Sequence, residues 1–401
     1  MLGFVPQPNL QLKLTFCFLS TGQETRFFGK TGFLRYQKSI KTKKQQETKQ
    51  MTFLKSIESK FFQAEIPYKP MGKYVHFLTV RVTESYPLFQ TDGELNKARV
   101  RAGIEDKNPI SRLTMFKRKQ STPERLVGRE LLRNYGLMTA EECEYNVKFA
   151  MDNPDCIIYG FAIGDSGSEK SKVVVDTAFS ITPFDDSHES FTLNAPFENG
   201  TMTSKGEPGS KPGETTSRIN QQDHIKPQVF FPSIVTLKDP TEASFLYVFN
   251  NILRTRHYGA QTTRTGRVRN ELIGVIFADG EIVSNLRWTQ AIYDKLNADK
   301  KLDTIDPLDE DDVIEAATSS IQTLMSEEFI VHNDFVGEDF EDLLTEVKAL
   351  VGSEKTLKEV LKQADDEAKS YAAKHIKGKA DSDSKNTDEK KSKGKKTASK
   401  K

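Results

Sequence analysis

The stretch that most restricts how this chain can fold runs from Tyr258 to Thr289, YGAQTTRTGRVRNELIGVIFADGEIVSNLRWT. Its second half, Leu272 to Ala278, is apolar and partly β-branched, and Asp279-Gly280 and then Glu281, Ile282 and Val283 follow it. Asp-Gly supplies the positive φ of a tight primed turn, so the pattern predicts a β-hairpin whose first arm is a buried strand. Feeding that strand is a loop of small, hydroxylated and basic residues: Gly259, Thr262, Thr263, Arg264, Thr265, Gly266, Arg267 and Arg269. Glycine lets the backbone approach a phosphate chain, threonine hydroxyls and free N–H groups donate to it, and arginine adds a charged planar fork. Taken alone, the loop has two readings: a grip on a nucleic-acid backbone, or a solvated turn that is merely basic.

Charge elsewhere is segregated. The 401 residues sum to a net charge of +1, which points to no partner. Yet Arg254 to Arg269 holds five arginines (Arg254, Arg256, Arg264, Arg267, Arg269) and no acid, and Lys97 to Arg133 holds eleven Lys/Arg against four Asp/Glu. Asn297 to Glu346 reverses the balance, with sixteen acids and two lysines. Such a chain can meet a polyanion with one face and a basic neighbour with another. Three cysteines, Cys17, Cys143 and Cys156, are too few and too scattered for a disulfide framework. A zinc site would have to combine Cys143 and Cys156 with a distant histidine; buried free thiols in a reducing cytoplasm are expected instead. No apolar run approaches the length of a membrane span, so a cytoplasmic protein without a membrane partner is expected.

Residues 1–50 hold nine Lys/Arg, two glutamates and few periodic apolar positions, and Lys13 interrupts Leu10 to Leu19. A poorly ordered extension is expected there, not a signal peptide, with Met51 as the natural start. Tyr74 to Val82, YVHFLTVRV, predicts a strand. Residues 95–121 form a long basic excursion ending in Phe116-Lys117-Arg118-Lys119, and Thr122-Pro123-Glu124 predicts a helix start. On that helix Arg125, Arg129 and Arg133 make one stripe, either a solvated face or, beside a basic loop, a phosphate-binding one. Thr139 to Glu142 predicts the cap of a second helix reaching about Met151, with strands at Ile157–Ile163 and Val173–Ile181 after it. Residues 196–228 are punctuated by glycine and proline and predict an exposed arm. Val229–Leu237 predicts a strand and Asp239-Pro240-Thr241-Glu242 a helix burying Phe245, Val248, Phe249 and Ile252. Further helices are expected from Trp288 to about Leu296 and at Asp309–Met325, Gly337–Val351 and Ser353–Ile376, making 301–376 an acidic helical region. Residues 377–401 read as a disordered Lys-rich tail.

This order predicts an α+β fold, a split βαβ core with large insertions, which is the plan of the RNA-recognition motif. The aromatic signature with which that motif stacks bases on its sheet does not occur, so the basic insertions favour the sugar-phosphate chain over the bases. No phosphate loop, G-x-S-x-G or H-E-x-x-H occurs, and no cofactor is expected. His224 and His257 sit in expected loops. Asp92, with Glu94, is the one catalytic candidate: two carboxylates after the first strand can hold a divalent metal for phosphodiester cleavage, although Thr-Asp-Gly is also ordinary turn chemistry and no third ligand is visible. No metal site is therefore assigned.

Five segments together carry a family resemblance: EIPYKPMGKYVHFLTVRVTESYPLFQTDGELNKARVRAG, PISRLTMFKRKQSTPERLVGRELLRNYGL, FENGTMTSK, TTSRINQQDHIKPQVFFPSIVTL and YGAQTTRTGRVRNELIGVIFADGEIVSN. From about Met51 to Ala298 the chain resembles the Cas-seven family of CRISPR backbone subunits in its type I-D, Csc-two form. GEPGSKPGE looks like a local insertion. The resemblance implies a modified RNA-recognition-motif (ferredoxin-like) palm with inserted finger and thumb elements, a core at 51–300 carrying a basic insertion at 95–135 and a thumb-like arm at 196–228. It implies copies lined up head to tail along a guide RNA (crRNA) that pairs with target DNA. Large, small, Cas-five-like and guide-processing subunits complete the implied antiviral (Cascade) assembly. The expected guide contacts are Arg99, Arg101, Lys117, Arg118, Lys119, Arg125, Arg129, Arg133, Arg254, Arg256, Arg264, Arg267 and Arg269, with Lys205, Arg218 and His224 on the thumb. The subunit is expected not to be an enzyme. The alternatives are a metal-dependent nuclease cutting the bound target strand at regular intervals from Asp92, or a general single-strand RNA-binding protein.

Overall fold

In YVHFLTVRV both alternating sets carry apolar side chains, Leu78, Val80 and Val82 in one and Val75 and Phe77 in the other, so the strand they form has to be covered on both faces. It becomes β1 (Tyr74–Thr83), buried from Val75 onward. The computed structural model describes residues 52–91, 93–162, 168–193, 220–259, 266–302 and 307–376. In chain order the further main elements are β2 (Lys97–Arg101), β3 (Pro109–Met115), α1 (Lys117–Asn134), β4 (Val173–Val175), β5 (Phe230–Lys238) and α2 (Glu242–Arg254). They are followed by β6 (Gly266–Ala278), α3 (Asn285–Ala298), α4 (Glu310–Ser326), β7 (His332–Val336), α5 (Glu338–Gly352) and α6 (Glu354–His375). The expectations for residues 1–50 and 377–401 fall outside the described residues.

The main sheet is antiparallel, in the order β6-β1-β5-β4, with α1 in the connection from β1 to β4 and α2 in the connection from β5 to β6. Phe77 lies opposite Val235 on one side and Val275 on the other. A bulge on β6 between the partners of Leu78 and Thr79 reverses the alternation, so Leu272 joins the face of Val275 and Ile273 that of Ile276. On one face Val75, Phe77, Val235 and Val275 pack under α2, α5 and α6. On the other, Leu78, Val80, Ile234 and Ile276 pack under α3 and α4, where Trp288 donates its indole N–H to the Ala317 carbonyl at 3.1 Å. Neither sheet face is open to a nucleic-acid base. No helix among the described residues is long and apolar enough to cross a membrane.

Several local expectations give way to tertiary context. Asp279-Gly280 is only a bend, with neither residue at positive φ, so the primed turn does not form and Glu281 to Val283 is no strand: Ser284 caps α3 directly, accepting from Arg287 N–H. The end of β6 pairs instead with β7, Val275 opposite Phe335, a strand whose polar composition hid it. The basic excursion at 95–121 is not irregular, for β2 and β3 form a hairpin in it with Arg99 opposite Ser111. Helix α1 starts at Lys117, with Pro123 inside, rather than at Thr122. The Thr139/Glu142 capping box forms, each backbone N–H donating to the other's side chain, but positive φ at Asn146 and Met151 stops any helix there. Residues 154–159 are a short helix, because Asn153 caps it and Pro154 opens it. The strand expected at Val173–Ile181 breaks into β4 and Ala178–Phe179. Of the arm at 196–228, residues 196–219 lie outside the described residues, whereas Asn220–Ile225 is a strand paired with His188–Leu193.

Candidate nucleic-acid interface

Two segments far apart in sequence meet across an open cleft of about 1030 Å³. One wall is the junction from β3 to α1: Phe116, Lys117, Arg118 and Lys119. Leu113 and Met115 anchor the end of β3 in the core, and α1 starts two residues after Met115, so these four side chains stand on a rigid corner. The opposite wall is the chain leaving α2: Arg254, Arg256, His257 and Gly259. Gln90 and Thr91 also line the cleft.

Lys117 and Arg118 are exposed, and the first turn of α1 contains no acid. Among the described residues none of Lys117, Arg118, Lys119 or Arg256 forms an ion pair, and Glu130 is the carboxylate on the wall. Burial, with Arg118 adding to it, lowers the Lys119 pKa. The result is a concave surface whose cations are free to meet an anion. Arg254 is exposed but partly committed, donating to Asn250 Oδ1 at 2.8 Å and to the Val351 carbonyl at 2.8 Å. The described ends of the glycine-spaced segment meet here, His257 paired with Arg267 and Tyr258 with Gly266. A Cβ on Gly266 would lie 2.4 Å from Pro87 Cα, so only glycine lets the loop's base sit there.

A wholly buried polar cluster ties the two walls to the sheet. Arg81 of β1 lies 2.8 Å from Glu124 Oε1 on α1 and donates to Tyr258 Oη at 2.7 Å and Asn270 Oδ1 at 2.8 Å. Tyr258 in turn donates to Glu124 Oε1 at 3.1 Å, and Asn270 to the Ile252 carbonyl at the end of α2 at 2.8 Å. Burial opposes the charge on Arg81, yet Tyr258 and Glu124 hold its pKa above the ordinary value. The one arginine of YVHFLTVRV was the available signal for this cluster; its partners were not visible.

The expected guide-binding residues divide. Lys117, Arg118, Lys119, Arg254 and Arg256 share the cleft. Arg99 and Arg101 lie exposed on alternate positions of β2 and do not line it. Arg267 is 57% exposed but paired with Glu84 at 2.8 Å. Arg269 is a correction: it is 30% exposed and surrounded by Glu84, Glu271 and Glu310, which neutralise it. The stripe is a second correction. Arg125 grips Asp155 with two bonds of 2.9 and 2.8 Å, Arg129 adds a third of 2.6 Å, and Arg133 donates to the Cys143 carbonyl at 3.1 Å. Asp155 and Arg129 are fully buried, so the stripe faces inward and is spent on its own chain. Cys143 and Cys156 lie buried beside it as free thiols, with their sulfurs 3.8 Å apart. His224 sits in the two-stranded ribbon, opposite Glu189 and with its ring 5.3 Å from that of Phe191. Asp92, Lys205, Arg218 and Arg264 lie outside the described residues. Phe116, on the cleft wall, was not among the residues expected to bind the guide.

The profile of a family described as Csc2 Crispr matches residues 61–361. The chain belongs to the Csc2 CRISPR family. Among solved structures it is similar to a crystal structure of Thermofilum pendens Csc2, at 14% identity and a TM-score of 0.45 over 79% of this chain and 95% of that one. It is also similar to a chain of a CRISPR RNA-guided surveillance complex, at 10% identity and a TM-score of 0.38 over 64% of this chain and 88% of that one. A chain of a type IV-B CRISPR complex follows at 12% identity and a TM-score of 0.33 over 49% and 90%. No curated protein matches the chain. The Csc2 match spans both walls of the cleft and the whole main sheet.

Proposed function

We propose that this chain is the guide-RNA-binding backbone subunit of a type I-D CRISPR surveillance complex. Copies polymerise head to tail along the crRNA and present it for pairing with invading DNA. The observation that carries the reading is the cleft: unpaired Lys117, Arg118, Lys119 and Arg256, delivered by two separate segments in a member of the Csc2 family. Such cations hold phosphates and carry no sequence information, which suits a guide whose sequence varies and whose specificity comes from base pairing. The strand order β6-β1-β5-β4 with its two helical connections supports an RNA-recognition-motif-like palm. Coverage of both sheet faces supports backbone gripping over stacking on the sheet. Exposed Glu338, Asp339, Glu341 and Asp342 at the start of α5 give each copy an acidic region to offer a basic neighbour. The subunit works as a scaffold without catalysis, in the cytoplasm, beside large, small, Cas-five-like and guide-processing subunits.

Salt titration tests this. For a single strand, each phosphate that the protein ceases to neutralise reduces the slope of log K against log salt by about 0.7. Lys117→Ala, Arg118→Ala and Arg256→Ala combined should therefore lower the slope by about 2 and weaken guide binding at every sequence alike. Unchanged affinity and slope would mean the RNA lies on another surface. Native mass spectrometry with crRNA should show several copies on one guide; a persistent monomer at modest ionic strength would refute the backbone role.

A further inference from the structure

Phe116 is the single residue between β3 and α1, and it is 41% exposed on the wall of the cleft. Its backbone is held at both ends. Met115 is buried and paired with Ala178, and the Phe116 carbonyl accepts from Lys119 N–H at 2.8 Å. It occupies the N-cap of an 18-residue helix, where a serine, threonine, aspartate or asparagine would bond to the first-turn N–H groups, and its own side chain makes no capping bond. The fold thus gives a capping position to an aromatic ring. Many phenylalanines here are paired, as Phe77 is with Phe245 and Phe249, and Phe89 with Phe231. Among the described residues no ring and no cation lies on Phe116. Beside it stand Lys117, Arg118 and Lys119, and Arg256 lies on the opposite wall.

Building on the RNA-binding reading above, we propose that Phe116 is a stacking platform for one unpaired base of the strand whose phosphates those cations hold. Every base has a π-face, so the interaction tolerates any sequence, and a base already stacked inside a duplex cannot make it. A ring fixed on a rigid corner loses little freedom on stacking. The cleft therefore selects single strands over duplex, which charge alone does not do.

Phe116→Ala should weaken binding of a single-stranded homopolymer RNA by about 5- to 150-fold while leaving the salt slope unchanged, because no charge is removed. Phe116→Leu, which keeps an apolar side chain and removes the π-face, should weaken it comparably, which separates stacking from folding. Phe116→Trp gives a direct readout, since the natural tryptophan, Trp288, is buried under α4. Fluorescence of Phe116→Trp should be quenched by single-stranded RNA more than that of the wild type, and a blunt RNA duplex should add no such quenching. Wild-type affinity in both Phe116→Ala and Phe116→Leu, or equal quenching by duplex, would overturn the stacking role and leave the cationic cleft intact. Failure of the wild type to bind RNA would overturn the reading of the cleft and this inference with it.

Discussion

Glu124→Gln probes how the cleft is held open. The substitution keeps an acceptor near Tyr258 Oη but removes the negative charge 2.8 Å from Arg81, in a place where both side chains are completely buried. At an effective dielectric near 20, a pair at that distance has a gross attraction of about 6 kcal/mol, most of it offset by the cost of taking two ions out of water. The net value of the intact pair is therefore small, but an uncompensated buried guanidinium is not: about 3–5 kcal/mol of stability should disappear. Tyr258 and Asn270 still accept from Arg81, which places the loss toward the lower end of that range. Arg81→Met alone should cost a similar amount by orphaning Glu124, whereas Arg81→Met with Glu124→Gln should cost less than the sum by about 2 kcal/mol or more. Urea unfolding at neutral pH, free of RNA, reads all three, with an unchanged m-value as the sign that only stability moved. A Glu124→Gln cost below about 1 kcal/mol, or strict additivity in the double variant, would refute the argument that this pair joins α1 to the sheet.

Three further outcomes follow from the same geometry. Asp155→Asn should destabilise the fold by about 3 kcal/mol, because Arg125 and Arg129 lose their shared carboxylate, while the salt slope of RNA binding stays that of the wild type; a reduced slope would return the arginine stripe to the RNA surface. Burial pulls the His76 pKa from 6.5 down to about 4, so unfolding releases a ring that takes up a proton below about pH 6.5. Its contribution is complete above that pH and falls away between pH 6.5 and 4, by about 3 kcal/mol at roughly 1.4 kcal/mol per unit; urea midpoints of His76→Gln should decline less steeply over that window than those of the wild type. With magnesium or manganese and a single-stranded target, assembled wild-type and Asp92→Ala complexes should leave the strand equally intact; regular products that vanish only in the variant would establish the nuclease alternative.

Much of what neighbouring residues determine was legible in the sequence alone. The strand at Tyr74–Thr83, the Thr241-capped helix burying Phe245 to Ile252, and the helices after Asp309 all announce themselves by periodicity and caps, which depend only on neighbours along the chain. The clustering of basic residues near 117 and 256 was equally visible as composition. What no local pattern contained was the partner. Asp279-Gly280 suggests a primed turn, yet the fold makes only a bend there and packing puts β7, not Glu281–Val283, beside β6. Thr139 and Glu142 specify a cap, yet left-handed backbone a few residues later denies it a helix. Arg125, Arg129 and Arg133 look like a phosphate stripe until Asp155 is folded against them, and Arg269 looks free until Glu310 arrives from 41 residues away. A charge is free or spent according to what the fold places within a few ångströms of it, and that is a property of the tertiary structure: it turned one set of arginines into struts and left Lys117, Arg118 and Arg256 facing an open cleft.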